Sequence, residues 1–228
     1  MLEKVEEIYA GVWPCSLADE DLRMFLCVLY LATCYFKPRS VVQTGTFVGT
    51  SSLSIALALR ENGFGQLHTI DPEPPEYFGI SEPVSIARKV AAEGGLDDQI
   101  CFVKGYSTLP FDAGRMKLIA GLCWQLQEIS RRVGYDMLVI DGDHTFFGCY
   151  FDLVCGALEL SRRGPRLIVV HDYLGIPAVR RALRKWKAQN PRLAMKVVPS
   201  PCGIALIQLA GENSITRKKQ TGDDGNGR

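Results

Sequence analysis

The sequence predicts an α/β fold with a seven-stranded, mostly parallel β-sheet, a terminal antiparallel hairpin and helices on both faces. The apolar runs at 137–140 and 167–170 have the length and β-branched content of strands that are buried on both faces. Strand and helix patterns alternate along most of the chain, which is typical of βαβ units. The last two strand patterns are separated only by 199–203, which is too short for a crossover and therefore favours a hairpin.

Seven strands and six helices follow from the hydrophobic periodicity. The strands are predicted near residues 40–44, 66–70, 99–103, 136–140, 166–170, 194–198 and 203–208, and five of the helices near 50–62, 81–94, 114–133, 147–162 and 176–189.

A further helix is predicted over about 17–36, before the first strand. Ser16 followed by Asp19 resembles a capping box, and Lys37-Pro38 gives the end of the helix. Apolar residues of this helix fall on one face, which we expect to cover the sheet or a partner subunit; the second option leaves room for a homodimer. These residues are Leu22, Phe25, Leu26 and Leu29.

The length of 228 residues is enough for one domain with a full hydrophobic core. We predict an N-terminal helical cap over 1–37 and an α/β domain over 38–210. The last stretch, 211–228, is polar and rich in glycine, so it is predicted to be disordered.

Charge and composition exclude several kinds of partner. The formal net charge is +1 and the charges are mixed along the chain, so the sequence predicts neither a nucleic-acid surface nor a polybasic membrane patch. The start of the chain is acidic, unlike a signal peptide, and the apolar run at 24–36 is too short to span a bilayer. The eight cysteines show no metal-binding spacing, which favours buried free thiols in a cytoplasmic protein.

The first strand leads into a helix through a glycine-containing turn. Gly45 would permit a tight turn, and Gly49 would let the helix begin against a ligand, with Thr50, Ser51 or Ser52 as its cap. The turn lacks the G-x-G-x-x-G spacing and the lysine that phosphate-binding loops use, so a nucleoside ligand without phosphates fits better. A plain tight turn without a ligand is about equally compatible with this pattern.

An acid follows the second strand and a polar stretch follows the third. Asp71 lies at about the offset at which an acid binds the hydroxyl groups of a ribose. Because no phosphate-binding loop precedes it, this acid indicates an adenosine ligand such as S-adenosylmethionine. Ser107 lies just past the third strand, where the edge of an adenine could be met.

Ionisable residues follow two neighbouring strands near the end of the sheet. Asp141, Asp143 and His144 follow one strand, and His171 and Asp172 follow the next. In open α/β sheets the ligand crevice lies outside the carboxyl ends of the strands, so these side chains are expected to gather at one rim. Such a concentration indicates a functional site.

Five segments resemble the class I S-adenosylmethionine-dependent methyltransferases, which have a Rossmann-like fold. The segments are QTGTFVGTSSLSIALAL, TIDPEP, GYS, YDMLVIDGDHTFFGCYFDL and LIVVHDY, and the similarity covers about residues 38–208. Within that class they are similar to small-molecule O-methyltransferases of the macrocin and mycinamicin type and to the cephalosporin-hydroxylase-like group. The resemblance implies cofactor-binding roles for Gln43, Gly45, Thr46, Gly49, Ser51, Asp71, Ser107 and Asp141.

The chain departs from this family pattern at Gln43, where the family usually has an acid. A glutamine can still accept a hydrogen bond, but it lacks the charge that attracts the ammonium group of the cofactor.

The resemblance also implies a metal site and a general base. Asp141 and Asp172 would hold Mg²⁺, His171 would occupy the remaining ligand position, and His144 would be the base, with Asp141 counted among the catalytic residues. The family often has a carboxylate at the position of His171. An imidazole there would shift the preference towards Mn²⁺ or Fe²⁺; alternatively, His171 faces away and belongs to the scaffold. Asp143 would cap the following helix or support the metal ligands.

We therefore predict a metal-assisted O-methyltransferase that acts on a hydroxyl group of a small molecule of the secondary-metabolite type. Tyr77 and Phe78, in the proline-rich stretch 72–79, could stack on an aromatic acceptor or on adenine, although such a stretch is also typical of an ordinary surface loop. Two alternatives remain, a metal-dependent hydroxylase-like enzyme of the same fold and a non-catalytic protein that binds S-adenosylmethionine.

Overall fold

The structure is a computed structural model that describes residues 1–10, 18–107, 124–160 and 166–209. The described helices are α1 (Leu2–Ala10), α2 (Glu20–Phe36), α3 (Thr50–Asn62), α4 (Pro83–Glu93), α5 (Trp124–Arg132), α6 (Phe146–Glu159) and α7 (Pro177–Gln189). The strands are β1 (Ser40–Thr44), β2 (Gln66–Asp71), β3 (Glu76–Tyr77), β4 (Ile80–Ser81), β5 (Ile100–Lys104), β6 (Met137–Ile140), β7 (Arg166–Val170), β8 (Ala194–Val198) and β9 (Ile204–Leu209).

Seven of these strands form one sheet in the order β5-β2-β1-β6-β7-β9-β8. The first five are parallel, and β9 pairs antiparallel with both β7 and β8, so the predicted sheet and its terminal hairpin are confirmed. The strand order reverses between β1 and β6, and such a switch point is where open α/β sheets place their ligands.

Each face of the sheet packs against its own set of helices. Val41 and Met137 belong to a core shared with α1 to α4, whereas their neighbours Val42 and Leu138 belong to a second core shared with α5 to α7. Because successive residues of a strand point to opposite faces, a continuous apolar run supplies both cores at once. This is the reason why the buried strands could be recognised in the sequence.

Helix α2 packs on its own chain and begins later than predicted. Phe25, Leu26 and Leu29 are buried in the core, so the expectation that this face covers the sheet is confirmed. The helix begins at Glu20 because the Asp19 carboxylate accepts hydrogen bonds from two backbone N–H groups of the first turn. The predicted start near residue 17 is therefore wrong.

Helix α1 and the β3–β4 hairpin were not predicted from the sequence. Helix α1 buries only Val5 and Tyr9, and the β3–β4 hairpin has only two residues in each strand. Both are too short to give a clear periodic pattern. The first part of the helix predicted over 114–133 and the tail predicted over 211–228 lie outside the described residues.

Five described cysteines are free thiols, as predicted, but only Cys149 among them is buried; the other four, Cys27, Cys34, Cys101 and Cys202, are partly exposed. Cys155 is disulfide-bonded, so the prediction is wrong at that position. In the part of the chain that the structure describes, no helix is both long and apolar enough to cross a membrane.

Candidate active site

The β1–α3 turn is held in a conformation that only glycine adopts easily. Gly45 has a φ of +84°, and a Cβ atom at this position would lie 2.3 Å from the carbonyl oxygen of Asp141. Gly49, with a φ of +87°, is the N-cap of α3. The predicted capping by Thr50, Ser51 or Ser52 is wrong, because all three lie inside the helix.

Gln43 and two serines form a buried network beneath this turn. The Gln43 amide donates to the carbonyl oxygen of Gly45 over 2.6 Å and to the Ser51 hydroxyl over 2.8 Å. The Ser52 hydroxyl donates back to the Gln43 carbonyl oxygen over 3.1 Å. Gln43 thus orders the turn, and its contact with a cofactor stays a prediction.

Asp71, at the end of β2, is bound to the same turn. One carboxylate oxygen accepts hydrogen bonds from the backbone N–H groups of Thr46 (2.9 Å) and Phe47 (3.2 Å). The other oxygen accepts one from Glu73 over 2.8 Å, which leaves it one lone pair for a further donor such as a ribose hydroxyl. The acid and the turn therefore form one rigid unit.

Helix α1 also reaches this turn. The hydroxyl group of Tyr9 donates a buried hydrogen bond of 2.6 Å to the carbonyl oxygen of Val48, and the tyrosine side chain is fully buried. The residue before Gly49 is therefore fixed by a helix that precedes β1 in the chain.

Of the five ionisable side chains expected to gather at this rim, four meet beyond the ends of β6 and β7, whereas the Asp143 carboxylate bonds to the backbone of Thr145 instead. His144 Nε2 lies 2.8 Å from Asp172 Oδ2 and 3.8 Å from Asp141 Oδ1. His171 Nδ1 lies 3.1 Å from Asp141 Oδ1 and 3.4 Å from Asp172 Oδ2. We refer to these four residues as the His–Asp cluster.

His171 faces the cluster and is held from behind by α2. Its second nitrogen, Nε2, lies 2.9 Å from Asp21 Oδ2, and its ring stacks on Phe25 with a centroid distance of 4.0 Å and an interplanar angle of 12°. Asp21 is itself fixed, because its other oxygen accepts a 2.7 Å hydrogen bond from the backbone N–H of Cys202. The ring orientation is thus set by several independent contacts.

Interactions within the cluster shift the pKa values of its members. Pairing with Asp141 and then with Asp172 raises the pKa of His144 to about 10. Burial lowers the pKa of His171, but the interactions with Asp141, Asp172 and Asp21 outweigh it and raise the pKa to about 9. Burial raises the pKa of Asp141, yet the two histidines outweigh this effect and hold the pKa below its usual value. Both shifts favour the protonated form of the histidines when no cation is bound.

Asp172 and Asp143 have distinct backbone roles next to the cluster. Asp172 has a φ of +58°, which is uncommon for a residue other than glycine and marks local strain at this strand end. The Asp143 carboxylate accepts from the backbone N–H of Thr145 over 2.8 Å, and the N-cap of α6 is Thr145 itself. The prediction that Asp143 caps this helix is therefore wrong.

Ser107 binds a buried carboxylate on α6. Its hydroxyl donates to Asp152 Oδ1 over 2.7 Å. Asp152 is completely buried, and its other oxygen has no hydrogen-bond partner among the described residues. Burial raises the pKa of Asp152 to about 6, although the bond from Ser107 acts in the opposite direction.

The donor set of the His–Asp cluster fits a divalent cation. Asp141, His171 and Asp172 each offer one ligand atom, and these atoms lie within 4.8 Å of one another. Adjacent ligands of a six-coordinate ion with bonds of about 2.1 Å are separated by about 3 Å, which is close to the spacing between His171 Nδ1 and the two carboxylates. One imidazole beside two carboxylates suits Mn²⁺ or Fe²⁺ as well as Mg²⁺.

An aromatic cluster lies beside the turn. Phe47 makes edge contacts with Tyr77 and Phe78 of the β3–β4 hairpin, at centroid distances of 5.9 and 6.3 Å. Phe78 is 80% exposed and Tyr77 is 46% exposed, so apolar rings are presented to solvent next to the Asp71 unit. Tyr77 and Phe78 thus lie close to the glycine turn, while their stacking on an acceptor or on adenine stays a prediction.

Two residues of the site were missed by the sequence reasoning. Asp21 has the pattern of an ordinary acid in the first turn of a helix, so no local signal distinguishes it. Asp152 did carry a signal, since it is the only charged residue among the first thirteen residues of α6, and a lone acid in an apolar helix is expected to be buried and paired.

The fold and the site geometry together define a protein with the architecture of class I methyltransferases. Residues 42–173, more than half of the chain, match the family model described as a methyltransferase domain, and the chain belongs to this family. Among the curated proteins, none is similar enough to be matched.

Several solved structures share the fold. An O-methyltransferase from Bacillus cereus in complex with SAH is 17% identical with a TM-score of 0.59, and the match covers 91% of each chain. The O-methyltransferase TomG from Streptomyces achromogenes, involved in tomaymycin synthesis and solved with SAM, is 19% identical with a TM-score of 0.59, and the match covers 92% of this chain and 89% of that one. The SAH-bound methyltransferase PaMTH1 from Podospora anserina is 15% identical with a TM-score of 0.56, and the match covers 90% and 86%.

Proposed function

We propose that this protein is an S-adenosylmethionine-dependent O-methyltransferase that methylates a hydroxyl group of a small molecule of the secondary-metabolite type. The observation that carries the proposal is the position of the His–Asp cluster. It lies beyond β6, directly beside the glycine turn that follows β1, so a cofactor on the turn and an acceptor at the cluster would be neighbours. SAM- and SAH-bound proteins of the same fold support the choice of cofactor.

The cofactor would occupy the turn and the two adjacent strand ends. Gly45, Thr46, Gly49 and Ser51 would line the methionine and ribose parts, and the free lone pair of Asp71 would accept from a ribose hydroxyl. Gln43 would support the turn from below. Ser107, oriented by Asp152, would lie near the adenine, and Asp141 would border the reacting end.

Methyl transfer forms one bond and breaks one. The acceptor oxygen attacks the methyl carbon, the carbon–sulfur bond breaks with its electron pair on sulfur, and S-adenosylhomocysteine leaves. The hydroxyl proton must go to a base, for which we propose His144 Nε2, because this nitrogen faces Asp141 and Asp172, beside which the acceptor oxygen would lie.

A divalent cation held by Asp141, His171 and Asp172 would orient the acceptor oxygen and lower its pKa. The negative charges of the two carboxylates are what raise the pKa of His144, so this histidine is expected to accept a proton only where those charges are neutralised.

Two measurements test the proposal. Calorimetric titration with S-adenosylmethionine, with and without Mg²⁺ or Mn²⁺, should show cofactor binding. An activity screen of phenolic and sugar hydroxyl acceptors should then show formation of S-adenosylhomocysteine. Absence of cofactor binding would refute the proposal as a whole. Turnover that is unaffected by a chelator would refute the metal-assisted part, and an oxidised product would favour the hydroxylase-like alternative.

A further inference from the structure

We propose that Asp21 is a positioning residue of the metal site: it fixes the tautomer and the orientation of His171 so that Nδ1 is presented to a cation. This inference rests on the metal-assisted form of the proposed function.

The geometry is that of a carboxylate–histidine–metal arrangement. An ionised carboxylate can only accept hydrogen bonds, so the 2.9 Å contact with Asp21 Oδ2 requires a proton on Nε2 of His171. By the same rule Nδ1 donates to Asp141 while no cation is bound, and a cation would take the place of that second proton. Nδ1 is the remaining ring nitrogen, and it faces Asp141 and Asp172 at 3.1 and 3.4 Å. A histidine that binds a metal through one nitrogen usually donates its other N–H group to such an oxygen.

The support for Asp21 is itself built into the fold. The side chain of Asp21 is 9% exposed, and its second oxygen is occupied by the backbone N–H of Cys202 at the end of the β8–β9 connection. Phe25 lies one turn further along α2 and stacks on the His171 ring, so the same helix fixes both the ring plane and the ring proton. Leu26 and Leu29 of the same helix anchor it in the core.

Asp21 also adds a negative charge next to the ligand set. The neutral imidazole of His171 contributes no charge of its own, and Asp21 places a negative charge directly behind the ring. The ligand set of Asp141, His171 and Asp172 together with Asp21 then has three carboxylates and one neutral imidazole when a cation is bound.

The test measures metal affinity and histidine protonation without relying on turnover. In Asp21→Asn, the amide oxygen is expected to keep the bond from Cys202, so the amide NH₂ group faces Nε2 and moves the ring proton to Nδ1. We expect Mn²⁺ to bind about 10- to 100-fold more weakly, as measured from the free Mn²⁺ signal in electron paramagnetic resonance. The matched control is Glu20→Gln, which removes an exposed charge from the same helical turn and should leave the affinity within about twofold.

A second measurement uses the unmutated protein and does not depend on how Asp21→Asn folds. With only three histidines in the chain, ¹⁵N-histidine NMR can be assigned with single substitutions at the other two. On addition of Mg²⁺, Nε2 of His171 should remain protonated and Nδ1 should lose its proton. Equal Mn²⁺ affinity in Asp21→Asn and the unmutated protein, a proton that stays on Nδ1, or absence of metal binding would each overturn the inference. Binding of S-adenosylmethionine, measured in parallel, shows separately whether the methyltransferase proposal holds.

Discussion

The carboxylate of Asp21 lies 2.9 Å from Nε2 of His171, although 150 positions separate the two residues in the chain. Helix α2 therefore does more than cover one face of the sheet, since it contributes a charged group to the site beyond β7. The same helix packs against α3, which carries the glycine turn at its N-terminus. The glycine turn and the His–Asp cluster are thus both in contact with one helix, which lies outside the predicted α/β domain.

Replacement of the proposed base should separate binding from chemistry. His144→Ala is expected to lower kcat by about 10²- to 10⁴-fold, because the proton acceptor is lost while the turn and Asp71 are untouched. Calorimetry should give the same Kd for S-adenosylmethionine as in the unmutated protein. An unchanged turnover rate with an acceptor found in the screen would contradict the role of His144.

Removal of one cluster carboxylate should weaken metal binding. Asp172→Asn is the suitable change because asparagine tolerates the left-handed backbone at this position. We expect the Mn²⁺ affinity to fall by about tenfold or more. Asp143→Asn is the matched control, since this neighbouring acid makes a backbone contact that asparagine can keep. A similar loss in both variants would argue against a specific metal site.

The close approach of Gly45 to Asp141 should make the turn intolerant of any side chain. Gly45→Ala combines backbone strain with a clash of Cβ against a carbonyl oxygen, and we expect the free energy of unfolding to fall by about 3 kcal/mol or more. Gly63→Ala has a similar positive φ but no atom within 4 Å, so strain alone should cost about 1 kcal/mol. Urea denaturation of both variants measures the difference, and equal losses would contradict the clash.

The buried acid on α6 should make stability depend on pH. Burial raises the pKa of Asp152 to about 6 in the folded state, whereas an unfolded aspartate titrates near 3.8. The folded protein therefore holds the proton more tightly, and this residue's contribution to stability falls as the pH rises from about 4 through 6. The loss is on the order of 2–3 kcal/mol.

Asp152→Asn should remove this dependence, because the amide keeps an acceptor for Ser107 and carries no charge. Thermal unfolding at pH 8 should show a higher Tm for the variant, and the difference should vanish near pH 4. A variant that is less stable at pH 8 but equally stable near pH 4 would show that the negative charge is needed rather than tolerated.

The sheet and the polar residues that follow its strands could be predicted because buried parallel strands appear in the sequence as uninterrupted apolar runs. Val41 and Val42 supply opposite cores, and the first polar residue after each such run marks the edge where ligands bind. The proximity of Asp141 and Asp172 follows from the same logic, since each comes directly after one of these runs or one residue later.

Contacts between distant segments could not be predicted in this way. The partner of Asp21 depends on where α2 crosses the sheet, and the partner of Ser107 depends on the rotation of α6. The hydrophobic periodicity of the sequence predicts neither placement. The cap of α3 was mistaken for a side-chain cap because glycine at the N-cap satisfies the geometry through its backbone alone. Short elements such as α1 bury too few residues to stand out.

The hydrogen bond from Tyr9 to the carbonyl oxygen of Val48 couples the stability of α1 to the conformation of the glycine turn. Amide protons of α1 and of residues 46–49 should exchange with deuterium at rates that change together when a ligand is added. A truncated protein that lacks residues 1–10 should then bind S-adenosylmethionine more weakly, even though the deleted segment contains none of the proposed cofactor-binding side chains.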